Sequence, residues 1–552
     1  MRLEKFILDI LNSKRKINLI YLITLILFIL SILTFPTKIV KAKMLPNKDS
    51  DSFSIYVDLK DGSSKYETKE VVDCIVKNLQ YEENITNISA FISQGQPIDF
   101  AGLVKQSALK NSENQAELMI NIKRFKDREI TSYNLISNLR SKIQDSCQNE
   151  YEATIKFIEL PAGPPVLASL VAEIYGGDSF SSRRDFAIKV ANIFKNQDTL
   201  VDIDILASKD FFTYTLEINS NKAIMSQVDL EHLKATLYLA FEGMSLGVIN
   251  DKNAQSQIPI FLRLDDSRNL SNNSKDALNL KLNSLKIMNN MGKMISVSEL
   301  VNIKQTIKEP TITSKNLNPI INVIAETSND SQIYPLLSSR EDMIKSFSND
   351  YEIIKTNMLN LSFIDKKTNE RFDLVFDGEL KVTIDTFIDL GTAFIIALIL
   401  IFLLMVVYYK NFALSGAIVL SSFISIIGVI FAHIIMDIFT KDTFYLTATS
   451  LIGFIALIGI NSRNSTLIID FAKQLILENN LGVNEAIAKA AATRSKPIIL
   501  TVLVLVFASS LIANDAVFGG LGVALIGGTL ISYIVSMFFV PVVIRNSLKK
   551  IV

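Results

Sequence analysis

Residues Ile17 to Phe35 read INLIYLITLILFILSILTF. About 19 residues pass without a charge, enough for a helix to cross roughly 30 Å of hydrocarbon. A cleaved signal peptide would have a shorter apolar core and a small-residue cleavage site after it. Pro36-Thr37-Lys38 follows instead, so the stretch reads as an uncleaved anchor. Five further apolar runs lie near the other end, at Leu390–Tyr408, Phe412–Met436, Tyr445–Ala472, Pro497–Ala513 and Phe518–Val543. Six spans place both termini on one side. Arg2, Lys5, Lys14, Arg15 and Lys16 precede the first span, and Arg545, Lys549 and Lys550 follow the last. Lys410 sits in a tight turn on that side, and Lys473, Lys489, Arg494 and Lys496 in its longer loop, while the opposite short loops hold only Lys441. This excess of Lys and Arg puts both ends in the cytoplasm. Lys38, Lys41 and Lys43 argue the other way, but they open a long segment, and long segments translocate largely regardless of charge.

The whole chain is 49% hydrophobic with mean hydropathy +0.31, too apolar for a soluble protein and too polar for a bundle of spans alone. Lys plus Arg and Asp plus Glu both number 56, so charge balance does not suggest nucleic acid. Cys74, Cys147, His232 and His433 are scattered, which argues against a zinc site. The motifs HExxH and GxxxxGKS/T are absent. No catalytic or metal-binding residue is singled out, and an enzyme is not expected.

Residues 36–388 are expected outside the cytoplasm. The first part alternates as strand Phe53–Leu59, helix Tyr66–Leu79, strands Ile85–Ile92 and Glu117–Arg124, helix Thr131–Ser146 and strand Ala153–Ile158. That βαββαβ order is the ferredoxin-like unit. After Pro161-Ala-Gly-Pro-Pro165 a similar order restarts with Leu170–Tyr175, Arg183–Phe194, Val201–Ala207, Phe212–Ile218 and Asp229–Phe241. Residues 243–310 are irregular and rich in Asn, Ser and Lys, so they read as an insertion. The second unit then resumes at Ile320–Ala325 and closes with Asp373–Phe376. The fold class is a six-helix membrane bundle plus a large α+β outer domain. Its segments are 1–16 cytoplasmic, 17–35 spanning, 36–165 and 166–242 as two subdomains, 243–310 inserted, 311–388 returning, 389–545 spanning and 546–552 cytoplasmic. Cys74 and Cys147 fall on or beside helices of one unit. A disulfide is possible outside the cytoplasm, and separate buried thiols are the preferred reading.

The most informative stretch is Leu457-Ile-Gly-Ile-Asn-Ser-Arg463-Asn-Ser-Thr-Leu-Ile-Ile-Asp470-Phe. Arg463 lies roughly 13 Å from the inner end of its span at 1.5 Å per residue. A charge there costs about 2.5–3.5 kcal/mol. It should face protein or a water cavity and have a counter-ion; the bland alternative is snorkelling toward Asp470. Asp385, Asp389, Asp437 and Asp442 sit at outer ends or loops, so no acid falls mid-span. A paired Arg463 therefore implies an acid from another chain. Arg494 sits at the cytoplasmic mouth of the next span, and Thr501 about a turn inside it. Thr501 could relay a proton or bond back to its own helix. Gly520, Ala524, Gly528, Ser532 and Ser536 recur every four residues as a small-residue face, for static packing or for sliding. Residues Gln474 to Ser495 suit an amphipathic helix on the inner surface.

Together these stretches resemble the resistance-nodulation-division (RND) superfamily of efflux transporters, and specifically the C-terminal half of a protomer. The resemblance covers essentially the whole chain. It rests on KMLPNKDSDSFSIYVDLKDGSSKYET, LPAGPPVLASLVAEIYG, GINSRNSTLIIDF, EAIAKAAATRSKPIILT and VFGGLGVALIGGTLISYIVSMFFVPVV. The resemblance implies an exporter of small molecules in the inner membrane, driven by the proton gradient with no other cofactor. By position Arg463 is similar to the basic residue that pairs with the proton-carrying acids, where many members have Lys. Asn464 is similar to the amide beside it, Arg494 to a basic residue near the cytoplasmic mouth, and Thr501 to the family's hydroxyl. Arg stays charged where a buried Lys can titrate, which places proton switching on the acids. The loop Gln94–Gln115, with Phe100 and Leu103, falls where members have a mobile loop beside the substrate path. The insertion resembles a docking subdomain for an outer-membrane channel or periplasmic adaptor. A usual protomer carries two such halves, with its paired aspartates in the first, and Met1 falls where the second half would begin. The expectation is a half-transporter that pairs with a chain supplying those acids and assembles as three such pairs. A SecD/SecF-like protein-export accessory and a non-transporting remnant stay open as alternatives.

Overall fold

In hydrocarbon a segment must satisfy its own backbone groups, so apolar runs of span length become helices. The structure, a computed structural model, describes residues 2–208, 210–254, 256–264, 275–328, 330–357, 359–440 and 442–549. Lys441 and Lys550, two cations of the orientation argument, lie outside the described residues, as does Met1. Among the described residues six helices are long and apolar enough to cross a membrane: Lys14–Leu33, Glu379–Tyr409, Phe412–Phe439, Ala448–Asn479, Val483–Ile512 and Gly519–Leu548. The third, fourth and sixth bury more than half of their apolar windows inside the bundle, and the second buries none. An additional helix, Arg2–Asn12, precedes the first span and buries Ile7, Ile10 and Leu11 in the bundle core.

No separate surface helix forms over 474–495. The fourth span continues to Asn479, Asn480 caps it in the left-handed conformation (φ 52°), and the fifth starts at Val483. Asn is one of the few residues that tolerates that backbone, and Gly482 follows as the N-cap. The amphipathic pattern across this stretch belongs to the ends of two long helices.

The first outer subdomain has strands β1 (Ser52–Asp58), β2 (Ile85–Ile92), β3 (Gln115–Ile122) and β4 (Thr154–Ile158), in the antiparallel order β2-β3-β1-β4. Helix Lys65–Leu79 begins with a capping box, Ser64 accepting from Glu67 N while Glu67 closes back on Ser64. It and helix Ser132–Ile143 bury Val71, Ile75, Leu79, Leu135, Ile136 and Leu139 with the sheet. Past Ile143 the chain makes a wider π turn, Gln144–Gln148, which carries Cys147. Cys74 and Cys147 are joined by a disulfide with Cα atoms 6.0 Å apart, so the preferred reading of separate thiols is corrected.

The second subdomain is a seven-stranded antiparallel sheet. It contains β5 (Leu170–Gly176) and β6 (Leu200–Leu206), joined by helix Phe180–Lys195, and then Asn318–Thr327, helix Ile333–Phe347 and the strands 351–355, 361–365 and 371–377. Between them Ser208–Thr311 forms a second compact unit. Strand Phe212–Ile218, expected in the preceding sheet, pairs instead with Val301–Ile307. Its Leu216 and Ile218 join Leu233, Val297 and Leu300 in that unit's own core. The insertion therefore starts at Ser208 and not at 243. Alternation marks a strand but does not say which strand it pairs with.

Candidate functional site

Four-residue spacing puts Gly520, Ala524, Gly528, Ser532 and Ser536 on one stripe of the last span, and this stripe lies along the fourth span. A methyl placed on Gly520 would collide with the hydroxyls of Thr447 and Ser450. Ala524 Cβ lies 2.7 Å from where a Cβ on Gly453 would stand, and Leu457 Cδ2 lies 2.9 Å from one on Gly528. Ser532 Oγ donates to Asn461 Oδ1 at 2.8 Å, and Ser536 Oγ at 3.4 Å. The facing positions 447, 450, 453, 457 and 461 recur every third or fourth residue, so two helix ridges meet over four turns. Ser536 itself lies in a π-helical turn, Val535–Phe539.

Asn461 centres a buried polar cluster with no formal charge. Its Nδ2 donates to Ser421 Oγ at 3.5 Å, Ser421 and Ser465 share a hydrogen bond at 3.0 Å, and Ser422 and Ser462 share one at 3.3 Å. His433 is fully buried beside the start of the fourth span. Its Nδ1 is 2.8 Å from the Val429 carbonyl and its Nε2 is 2.9 Å from Ser450 Oγ. A carbonyl only accepts, so Nδ1 carries the hydrogen, and in the neutral ring Nε2 accepts from Ser450.

Arg463 is not part of this cluster. Asn461, Ser462, Asn464 and Ser465 are buried, whereas Arg463 is exposed on the bundle surface, as are Gly459 and Leu467 one turn to either side. Among the described residues it makes no hydrogen bond or ion pair. Asp470 is not its partner: its two oxygens accept from Tyr409 Oη at 2.8 Å and Tyr408 Oη at 3.4 Å. Among the described residues Arg463 thus has no counter-ion. Asn464 is buried with neither amide atom hydrogen-bonded among the described residues. Arg494 stacks its guanidinium 4.7 Å from the centre of the Phe471 ring. Thr501 is exposed and its hydroxyl donates back to the Ile498 carbonyl at 2.8 Å, the local bond common for Thr in helices. Arg463, Asn464, Arg494 and Thr501 are therefore not joined into one hydrogen-bonded set.

In the outer domain Phe100 and Leu103 are 61% and 65% exposed on the loop between β2 and β3. Glu117 clasps that loop, its Oε2 accepting from Gln96 N at 2.8 Å and Ser107 Oγ at 2.6 Å. A cavity of about 960 Å³, including its open mouth, lies between the two outer subdomains, lined by Lys43, Lys105, Arg140, Phe157, Glu159 and Glu326 among others. Lys105 Nζ is 2.6 Å from Glu326 Oε1, and Arg140 is 3.9 Å from Glu159. Burial pushes the Glu159 carboxyl up, with Arg140 only partly offsetting it. Burial also works against the charge on Glu326, but Lys105 overcomes it and holds that carboxyl below the usual range. Of the polar cluster only Ser532 and Ser536 stand out in the sequence, as part of the small-residue face, and the cavity residues do not stand out as a set. The cavity residues are scattered over some 280 positions without a period, while the Asn461 cluster was legible in the spacing 461, 464, 465.

The chain matches the AcrB/AcrD/AcrF family over residues 2–545. It is 30% identical over 162 residues to the multidrug export protein AcrF of Escherichia coli K12, across 28% of this chain and 15% of that protein. It is 21% identical over 533 residues to the swarming motility protein SwrC of Bacillus subtilis, across 94% of this chain and 45% of SwrC. In fold it resembles a solved heavy metal efflux pump with a TM-score of 0.73 at 16% identity, covering 99% of this chain and 52% of that one. The chain thus spans about half the length of the proteins it matches end to end. With nearly every residue inside the match, the chain belongs to the AcrB/AcrD/AcrF family of RND efflux permeases.

Proposed function

We propose that this chain is a half-size subunit of a proton-driven efflux transporter that exports small molecules from the inner membrane or periplasm of a double-membraned bacterium. Arg463 carries the reading. A mid-span charge on the outside of its own bundle costs about 2.5–3.5 kcal/mol, and a partner chain placing paired acids against that face would offset the cost. Protonation of those acids weakens their attraction to Arg463. The helices then shift and the cleft between the outer subdomains changes width, which requires the two protonation states to favour different clefts. Asn464, Arg494 and Thr501 serve the same route, and the loop bearing Phe100 and Leu103 borders the substrate path. The outer subdomains act as ferredoxin-like porter units; the β2-β3-β1-β4 order of the first supports this. The Cys74–Cys147 disulfide supports an oxidising compartment for that domain, with both termini in the cytoplasm. Three pairs assemble, and the inserted unit meets an adaptor or outer-membrane channel.

The test is a tagged purification in mild detergent with co-purifying chains identified by mass. Recovery of a membrane chain with paired mid-span acids is expected. Recovery of this chain alone would remove the split-transporter reading.

A further inference from the structure

The edges of the two outer sheets face each other at β4 and β6. On β6, Asp202 is a non-glycine residue in the left-handed conformation, φ 52°, in the middle of a strand. Opposite it, the register with strand Asn318–Thr327 shifts between Ile324 and Glu326. Asp is among the few side chains that tolerate this backbone, and such outliers persist where surrounding contacts over-determine them. Those contacts all come from the other subdomain. Asp202 Oδ2 accepts from Phe157 N at 2.9 Å and from Arg140 Nε at 3.3 Å, and Oδ1 accepts from Gln144 Nε2 at 3.0 Å. The carboxylate is 1% exposed. Two residues on, Asp204 takes Lys156 at 2.6 Å, and Lys156 also holds Asp58 of its own sheet at 3.1 Å.

We infer that Asp202 is the latch of the cleft, a positioning residue whose bulged backbone aims one carboxylate at three donors of the neighbouring subdomain, so that opening must break all three bonds. Asp204–Lys156 is a weaker point, because Lys156 keeps Asp58 when the cleft parts, and Lys105–Glu326 at 2.6 Å is a further pair between the subdomains. The role of the latch in transport rests on the reading above, but its existence does not.

The experiment is hydrogen–deuterium exchange on the full chain in detergent, following residues 154–158 and 200–206, in wild type and two variants. Asp202→Gly keeps the backbone conformation and removes the acceptor. Asp202→Asn keeps the backbone conformation and an acceptor oxygen for Phe157 N and Arg140 Nε, and gives up only the bond from Gln144, whose Nε2 is also held by the Ile155 carbonyl at 3.3 Å. Exchange at Phe157 and along both edges is expected to rise at least about tenfold in the Gly variant and to rise less than that in the Asn variant, which keeps two of the three bonds. Unchanged edges in the Gly variant would overturn the latch. So would a rise spread evenly over the whole outer domain, which is what loss of a merely structural contact produces. Exchange is read on the chain itself, so it answers even if no transport partner is found.

Discussion

Replacing Gly428 with alanine tests whether the bundle is held by backbone-close packing. Gly428 lies in the third span, and a Cβ placed there would stand 2.7 Å from both Cβ and Cγ1 of Ile531 and closer still to the Gly527 carbonyl oxygen. Ordinary contact begins at 3.4 Å, so the third and sixth spans would have to part by at least 0.7 Å (3.4 − 2.7). The obstacle is helix backbone, which cannot turn aside as a side chain can. Overpacking of this kind costs about 1–3 kcal/mol, and alanine's better helix propensity returns at most about 1 kcal/mol. A net loss of about 1–2 kcal/mol follows. Gly416, on the same span, has nothing within 4 Å of its built Cβ, so Gly416→Ala should gain about 0.5–1 kcal/mol. Thermal unfolding of purified protein in one detergent reads both. The pair Gly428→Ala with Gly527→Ala should cost less than the sum of the two, because helices already parted by one methyl accept the next. If Gly428→Ala is as stable as Gly416→Ala, the two backbones are not in contact and the packing argument fails.

Three further outcomes are expected. Replacing Cys74 and Cys147 by serine should lower stability by about 3 kcal/mol, and wild type should lose the same amount in reductant while the double variant does not respond. For Asp58, burial alone would raise the carboxyl, but Lys156 and Lys110 overcome it and hold it at about 2; a depressed acid stabilises the fold above its unfolded value near 4 and loses that contribution as pH falls through about 2. The stability difference between wild type and Asp58→Asn should therefore be about 2 kcal/mol at neutral pH and shrink between pH about 4 and 2; a difference independent of pH would refute the ion-pair account. Arg463→Ala should abolish export with expression intact, and normal export by that variant would sink the proposed coupling.

The first outer unit was legible because each of its elements carries a clean period. The strands alternate, the helices repeat at three to four, and expected and observed limits of β2 coincide at Ile85–Ile92. What failed was pairing between distant elements. Phe212–Ile218 announced a strand but not that Val301–Ile307 would claim it. Cys74 and Cys147 could be placed on helical stretches, but the π turn at Gln144–Gln148 that carries Cys147 leaves no mark in composition. In the membrane, a charge drew the reading to Arg463 while its neighbours Asn461, Asn464 and Ser465 formed the buried face. Helical periodicity contains that distinction, since a helix advances about 100° per residue and Arg463 falls on the side opposite Asn461 and Ser465.

The outward arginine and the inward, uncharged cluster divide the labour of the bundle. Hydrogen bonds from Ser421, Asn461 and Ser532 tie the third, fourth and sixth spans together without a formal charge. The force of the proposed cycle falls instead on the outer face of the fourth span, and that span has a stiff exit. Before its start, Leu446 N donates to the Lys41 carbonyl at 2.8 Å and Lys43 N to the Leu446 carbonyl at 3.1 Å; at its start, Ala448 N donates to the Met44 carbonyl at 3.0 Å. The same connector is tied to the second outer subdomain by Lys41–Asp330 at 2.9 Å and by Ser331 Oγ donating to the Ala42 carbonyl at 2.5 Å, and its residues from Lys43 to Lys48 line the cavity. From Arg463 to Ala448 is 15 residues of continuous helix, about 22 Å at 1.5 Å per residue. A displacement at the arginine therefore meets helix, then paired backbone, then the cavity wall, with no long side chain in between to absorb it. The polar contacts across the cleft, three of them held by Asp202 and one by the Lys105–Glu326 pair, lie at the end of that path.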